Sequence, residues 1–360
     1  MTRAAILREA GKPLELTEID LAETGPCQVR VRIAASGVCH SDLSLARGRL
    51  PHPVPVVLGH EACGVVSEVG DGVTRVNVGD RVILAWSPPC RSCFYCDRGD
   101  PHLCENSGGN TFAAPFATVG GERLFNTLGA ATFTEETLVI ENAVVPIADD
   151  VPIEVAALIG CAVMTGVGAV LNTAQVEPGS SVVVIGCGGV GLSAILGAKH
   201  AGAARIVAVD VVSDKLDSAL AAGATDVVDG TGDVEAGVRA LTEGRGADYV
   251  FEVIGRGDTI KLAYRITRRG GTTVIVGAGR IDDEVSFSAL ELFYQARNLM
   301  GCVYGSADPD RDFPMLVDLY RTGRLDLDQL ISRRIRLEDV NDAFERMEAG
   351  DGVRSVIVYD

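Results

Sequence analysis

Apolar residues follow two different rhythms along the chain. Up to about residue 150 they come in short runs, such as Val29 to Ile33, Cys63 to Val69 and Arg81 to Ala85, punctuated by glycine, proline and cysteine. Runs of that length between turn residues predict β-strands. From Ser181 the rhythm changes. Val182 to Ile185 meets a glycine cluster and a helical stretch, then come Arg205 to Asp210, another helix, and Asp226 to Val228. That pattern is a βαβαβ unit. The alternation continues through Tyr249 to Ile254 and Thr273 to Val276, and about six parallel strands result if Leu299 to Tyr304 closes the sheet. The expected layout is a doubly wound α/β domain behind a β-rich one. The tail from Asp308 to Asp360, ending in a β-like Arg354 to Tyr359, is too short for a domain and is expected to pack back on the first part.

Length and composition agree with two globular domains. The chain has 360 residues, 47% hydrophobic and 22% charged, with 42 glycines. A net charge of −17 repels polyanions, so no nucleic-acid partner is expected. Met1 to Ala10 do not read as a secretion signal, and no stretch of 18 uncharged apolar residues is evident, so the expected protein is cytoplasmic with no membrane partner. Ten cysteines in a reducing setting point to thiolates and metal before disulfides.

Gly186-Cys187-Gly188-Gly189-Val190-Gly191 matches G-x-G-x-x-G directly after an apolar strand and before a helix. In that context the glycines permit a tight turn, close backbone approach to a pyrophosphate and helix-on-strand packing. Asp210 ends the next strand, 19 residues past Gly191. There a carboxylate accepts hydrogen bonds from an adenosine ribose and repels a 2′-phosphate, which predicts NAD rather than NADP. Lys215 is within sequence reach of the same ribose, or is a solvated helix lysine. Val276 is placed with the cofactor residues.

Cys90-x2-Cys93-x2-Cys96-x7-Cys104 puts four soft donors within fifteen residues. Four thiolates close a tetrahedron around zinc and leave no position for substrate, the pattern of a structural site; iron–sulfur centres and disulfides use similar spacing. Arg91 and Arg98 are expected to offset part of its negative charge. Cys39, His60 and Cys161 are a second donor set. Two thiolates and an imidazole leave a fourth position open, as a catalytic zinc needs, but no spacing singles these three out.

Gly59-His60-Glu61, the cysteine lobe, Gly160-Cys161 and the glycine turn, in this order and at these intervals, resemble the zinc-dependent medium-chain alcohol dehydrogenases over essentially the whole chain. The resemblance implies a GroES-like catalytic domain over 1–162 and 304–360, with the zinc lobe at 88–106, and a Rossmann NAD-binding domain over 163–303. It implies two Zn²⁺ per subunit, the catalytic one on Cys39, His60 and Cys161 with Glu61 behind it, the structural one on Cys90, Cys93, Cys96 and Cys104. Asp42 matches the carboxylate that orients the histidine ligand. Ser41 matches the hydroxyl that takes the alcohol proton, and Ser44 stands where several relatives end that path in a histidine. His40 and Arg354 match residues near the cofactor pyrophosphate, and Val190 the side chain behind the nicotinamide. Leu50 and Trp86 match walls of an apolar pocket suited to a medium or aromatic primary alcohol.

The implied activity is reversible NAD-dependent oxidation of a primary alcohol to an aldehyde, in a homodimer or homotetramer joined near Leu299 to Tyr304. Thr111 to Glu136, with Phe112, Phe116, Phe125 and Phe133, is read as a cover for the pocket mouth or a contact with a neighbouring subunit. Cys161-Ala162-Val163-Met164 and Asp312-Phe313-Pro314 also resemble mycothiol-dependent formaldehyde dehydrogenases, the nearest alternative. A non-catalytic zinc protein that binds NAD is the alternative from another class. Cys27, Cys63, Cys187 and Cys302 are expected to be packing residues.

Overall fold

The computed structural model describes residues 1–107 and 116–360. The first elements are β1 (Thr2–Leu7), β2 (Glu15–Leu21), β3 (Gln28–Gly37), α1 (His40–Ala46), β4 (Val56–Val57), β5 (Ala62–Val69) and β6 (Arg81–Leu84). After the cysteine lobe come β7 (Ala117–Val119), β8 (Glu122–Asn126), β9 (Glu136–Ile140), β10 (Val144–Pro146) and the long helix α2 (Ile153–Thr173). Next are β11 (Ser181–Ile185), α3 (Gly189–His200), β12 (Arg205–Asp210), α4 (Ser213–Ala222), β13 (Asp226–Asp229), α5 (Val234–Leu241) and β14 (Ala247–Glu252). Then follow α6 (Gly257–Ile266), β15 (Thr267–Ile275), α7 (Ala289–Gln295), β16 (Asn298–Gly301), α8 (Pro309–Arg321), β17 (Arg333–Ile335), α9 (Val340–Glu348) and β18 (Ser355–Val358).

The chain forms two compact units. One comprises Met1–Ala162, Asp308–Thr322 and Ile331–Asp360; the other comprises Val163–Ala307 and Gly323–Leu330. In the first, β1, β2, β7, β8 and β4 close a barrel, and a second sheet runs β10-β6-β5-β3-β18-β17 with β9 also on β3. Alternate residues of β3, Val29, Val31 and Ile33, enter an apolar core with Val66, Val82, Leu84 and Val139. One edge of β3 is shared. Its first half pairs with β9 and its last residues, Ala35 to Gly37, pair with β18. The C-terminal strand therefore lies beside the point where β3 hands the chain to Cys39.

The second unit is a parallel sheet in the order β13-β12-β11-β14-β15-β16. Its central strands are apolar on both faces, as helices on each side require, with Val183, Ile185, Val207, Val209 and Val250 in the core. The segments Tyr304–Ala307 and Gly323–Leu330 belong to this unit, so the tail is divided rather than packed wholly on the first. Backbone contact explains the first segment: a Cβ on Gly168 of α2 would lie 2.4 Å from the Gly305 carbonyl, and Asn172 Nδ2 donates to that carbonyl. In the second segment Leu325, Leu327 and Leu330 are buried.

Two further expectations change. Residues 155–176 carry no charged side chain, and α2 is long and apolar enough to cross a membrane. It is nonetheless 83% buried within the protein, so its apolarity is that of a core helix. Phe116 sits in the barrel core and Phe133 in the core under α1, with Phe125 packed against it, so these rings fill interior volume rather than cover a pocket. Phe112 lies outside the described residues.

Candidate active site and its metal positions

Three elements of the first unit deliver the dispersed donors. Cys39 is the N-cap of α1, immediately after β3; His60 precedes β5; Cys161 lies in a wide π-helical turn of α2. Their ligand atoms all lie within 4.8 Å of one another, and all three residues are buried. His60 Nε2 is 3.3 Å from Cys161 Sγ. Asp42 sets this geometry from the first turn of α1. Its carboxylate accepts from the Cys39 and Gly59 backbone N–H groups at 3.2 and 3.0 Å and from His60 Nδ1 at 3.0 Å. One carboxylate thus ties two donors together and leaves Nε2 free for a metal.

The electrostatics suit a soft cation. The hydrogen bond from the Cys161 thiol, aided by Arg354 and His60, holds Cys39 well below the usual thiol range, while Cys161 as the donor is held up. Burial pushes His60 down, but the Asp42 charge and hydrogen bond outweigh it and hold the imidazole up. Glu61 lies behind the donors, fully buried, with Oε1 3.5 Å from the Ala162 N–H and Oε2 3.9 Å from Arg354. Burial raises its carboxyl to about 7 despite Arg354. Arg354 is only 4% exposed and donates to the Val38 carbonyl, so its charge faces the thiols and Glu61.

Ser41, half-buried, has its Oγ 3.8 Å from Cys39 Sγ. His40, exposed, is the first residue of α1, and Ser44 is half-buried on the same helix. Trp86 stands edge-on to His60 with ring centroids 6.3 Å apart. Leu50 packs on the apolar cluster of Val38, Leu43 and Phe133.

In the lobe, the ligand atoms of Cys90, Cys93, Cys96 and Cys104 also lie within 4.8 Å of one another. Backbone and amide N–H groups already serve these sulfurs: Cys90 N to Cys104 at 3.2 Å and Asn106 Nδ2 to Cys90 at 3.3 Å. The Asn106 bond leads in lowering Cys90 to about 5, while burial raises Cys96 to about 12. The expectation that Arg91 and Arg98 offset the thiolates is corrected. Arg91 forks onto Asp308 at 2.6 and 3.0 Å and reaches Asp310 at 2.7 Å; Arg98 lies over Phe94 and 3.8 Å from Asp100. Nearer carboxylates hold both charges. Cys63, Cys187 and Cys302 are buried, whereas Cys27 is exposed.

In the second unit, Gly186 (φ 96°) turns the chain out of β11, and Gly188 caps α3. A Cβ on Gly191 would fall 1.8 Å from the Gly186 carbonyl, so only glycine fits. Asp210 accepts from Cys187 N at 2.7 Å and from Val212 N at 3.0 Å, bracing the turn from the end of β12. Val190 and Lys215 are partly exposed nearby in sequence, and Val276 follows β15. Sequence reasoning missed Glu252, a fully buried carboxylate ending β14. Its signal was a single charged residue interrupting the apolar run Tyr249 to Ile254.

Comparison with known proteins adds the lineage. Residues 25–149 match the alcohol dehydrogenase GroES-like domain and residues 189–322 match the zinc-binding dehydrogenase family. A class-3 alcohol dehydrogenase of Drosophila melanogaster is 37% identical, covering 99% of this chain and 97% of the relative. The crystal structure of benzyl alcohol dehydrogenase from Acinetobacter calcoaceticus superposes with a TM-score of 0.93 at 32% identity, covering 100% of this chain and 99% of that one. An alcohol dehydrogenase zinc-binding domain protein from Burkholderia ambifaria gives 0.94 at 32%, with the same coverage. With two buried thiols and an oriented imidazole gathered at one point, a four-cysteine lobe and a glycine turn on a parallel sheet, the chain belongs to the zinc-dependent medium-chain alcohol dehydrogenase family.

Proposed function

We propose that the protein oxidises a primary alcohol to an aldehyde, reversibly, with NAD as hydride acceptor and zinc at Cys39, His60 and Cys161. The convergence of those three donors, with Asp42 fixing the imidazole, carries the reading. Bound there, zinc would supply Lewis acidity towards a substrate hydroxyl and the nicotinamide a hydride acceptor. The chain's own residues do the rest. Asp42 holds the imidazole tautomer; Ser41 Oγ receives the hydroxyl proton and passes it on towards solvent, since Ser44 offers no base. Glu61 and Arg354 balance charge behind the donors. Trp86, edge-on to His60, gives an apolar wall, and Leu50 is proposed as a second from the resemblance; this supports a medium or aromatic alcohol, in keeping with a benzyl alcohol dehydrogenase among the structural relatives. Cys90, Cys93, Cys96 and Cys104 hold the second zinc.

Asp210 at the end of β12 supports NAD over NADP, because a 2′-phosphate would meet its carboxylate. Gly186, Gly188, Gly189, Val190 and Gly191 seat the pyrophosphate and ring, with Lys215 and Val276 alongside and His40 as a phosphate contact. All ten cysteines are free thiols, in keeping with a reducing, cytoplasmic setting. Every residue of β16 is exposed, as are Leu290 and Phe293 of α7, which supports pairing of this edge with a second copy.

As a member of an enzyme family the chain is not an NAD sensor on this reading, and the relatives named above give no support to the mycothiol-dependent alternative. The test is metal analysis with initial rates for aliphatic, aromatic and thiol-conjugated substrates and both nicotinamides. Turnover of benzyl or hexyl alcohol with NAD is expected; rates that require an added thiol, or prefer NADP, would overturn the reading.

A further inference from the structure

Glu252 is a carboxylate without any exposure at the end of β14, next to the buried Val250 and Phe251, yet it touches no metal donor. All its hydrogen bonds turn forward into the chain that follows. Oε1 accepts from Ile254 N at 3.0 Å, from Gly255 N at 2.9 Å and from Thr259 Oγ1 at 2.7 Å; Oε2 accepts from Gly255 N at 3.0 Å. Its backbone carbonyl takes two more, from Val276 N at 2.8 Å and Gly277 N at 3.0 Å, in the loop after β15. The side chain therefore organises the loop after β14, while the backbone carbonyl continues the β14–β15 ladder into the loop after β15.

Those loops interlock backbone to backbone. A Cβ on Gly277 would fall 2.1 Å from Gly255 N, and one on Gly255, which has φ 81°, would fall 2.6 Å from the Ala278 carbonyl carbon. Ile254, 44% exposed, also fills the space where a Cβ on Gly186 would stand, 2.8 Å from it. The glycine turn, the 254–256 loop and the 276–278 loop thus form one surface at the C-terminal ends of β11, β14 and β15. A dinucleotide crosses such a sheet along these ends. With Asp210 on β12 at the adenosine side, the half beyond the pyrophosphate falls over β14 and β15.

We infer that Glu252 is a positioning residue for the nicotinamide half of the cofactor, holding Ile254 directly and, through the Gly255–Gly277 backbone contact, bracing the loop that carries Val276 as a second part of its seat. The inference rests on the NAD reading above. It acts by preorganisation: with the carboxylate gone, the Ile254 and Gly255 N–H groups lose their acceptor and the loops must be ordered at the expense of binding.

The experiment measures NADH affinity directly by the emission of bound cofactor, alongside Tm, metal content and steady-state rates, for wild type, Glu252→Gln, Glu252→Ala and Thr259→Val. Expected are a dissociation constant raised about tenfold or more in Glu252→Ala and about threefold in Thr259→Val, with Glu252→Gln restoring most of the affinity because its oxygen replaces Oε1. KM for NAD should rise more than kcat falls, and metal content should be unchanged. Unaltered NADH affinity in Glu252→Ala, or in both Thr259→Val and Glu252→Gln should the alanine chain not fold, overturns the inference. Failure of wild type to bind NADH would instead overturn the cofactor reading itself.

Discussion

The two cysteine-rich regions of the first unit use the same atoms under opposite conditions. The lobe closes its four sulfurs within fifteen consecutive residues and leaves Cys90 and Cys96 half-exposed; the other site draws donors from 39, 60 and 161 and buries all three. Charge explains the difference. Two thiolates and a neutral imidazole balance a divalent cation, a combination a buried site tolerates, with Glu61 and Arg354 as a further compensating pair. Four thiolates leave a surplus of negative charge, which is manageable where solvent and backbone N–H groups reach the sulfurs. The three-donor site is also the one equipped with an orienting carboxylate, Asp42 on His60 Nδ1, whereas the lobe sulfurs accept from Cys90 N and Asn106 Nδ2. On the reading proposed above, position in the fold separates the reacting site from the structural one.

The sharpest way to break that separation is to remove one ligand from each. Cys161→Ala is expected to lower kcat/KM by more than about a thousandfold, because the Lewis acid is lost, and to reduce metal from two ions to about one per chain with little change in Tm. Cys96→Ala should also lose one ion, but keep turnover at low temperature within about threefold while losing activity on warming, since a structural site contributes to folding. Metal analysis with rates at two temperatures checks both. Equal loss of cold activity in the two variants would erase the distinction drawn here.

A smaller effect is expected from Asp42→Asn. The amide keeps the size and one acceptor, but it no longer favours the Nδ1–H tautomer as a carboxylate does, and the N–H groups of Cys39 and Gly59 lose a charged acceptor. Activity or zinc affinity should fall about 10- to 100-fold, the usual range for an outer hydrogen-bond partner of a metal ligand. The lobe ion should be unaffected. Zinc retention against a graded chelator, followed ion by ion, measures this, and loss of the lobe ion first would contradict it.

Legibility followed the same division. The lobe could be read from spacing alone, because its ligands are neighbours in the chain and a loop can close on a cation without knowledge of the fold. The glycine turn was legible because strand, turn, helix and Asp210 occur in order. Cys39, His60 and Cys161 carry no local pattern; they meet only because β3, β5 and α2 pack together, so family resemblance had to supply them. Glu252 stayed hidden because a carboxylate ending a strand reads as a solvated loop acid until its partners, all backbone N–H groups and Thr259, are seen. The uncharged run through α2 does not stand out in the sequence because small residues, Gly160, Gly166, Gly168 and several alanines, and the polar Thr165, Asn172 and Thr173 dilute its apolar look.

The smallest expected effect probes how the lobe is fastened. Arg91, between ligands Cys90 and Cys93, adopts φ 62° and forks onto Asp308 and Asp310 at the start of α8, where Arg75 also reaches Asp310. Its side chain is 34% exposed and that of Asp308 25%, so solvent screens the pairs and the network is expected to contribute only about 1 kcal/mol. Arg91→Gln should accordingly leave both ions in place and turnover unchanged, while the lobe zinc becomes available to a colorimetric chelator a few-fold faster, by about fivefold for 1 kcal/mol of local opening. High salt should narrow that difference, since it weakens the pairs in the parent and has nothing comparable to weaken in the variant. Were the ion at Cys39, His60 and Cys161 to be released faster by the same factor, the two sites would open as one unit, and the lobe could no longer be treated as a scaffold independent of the chemistry.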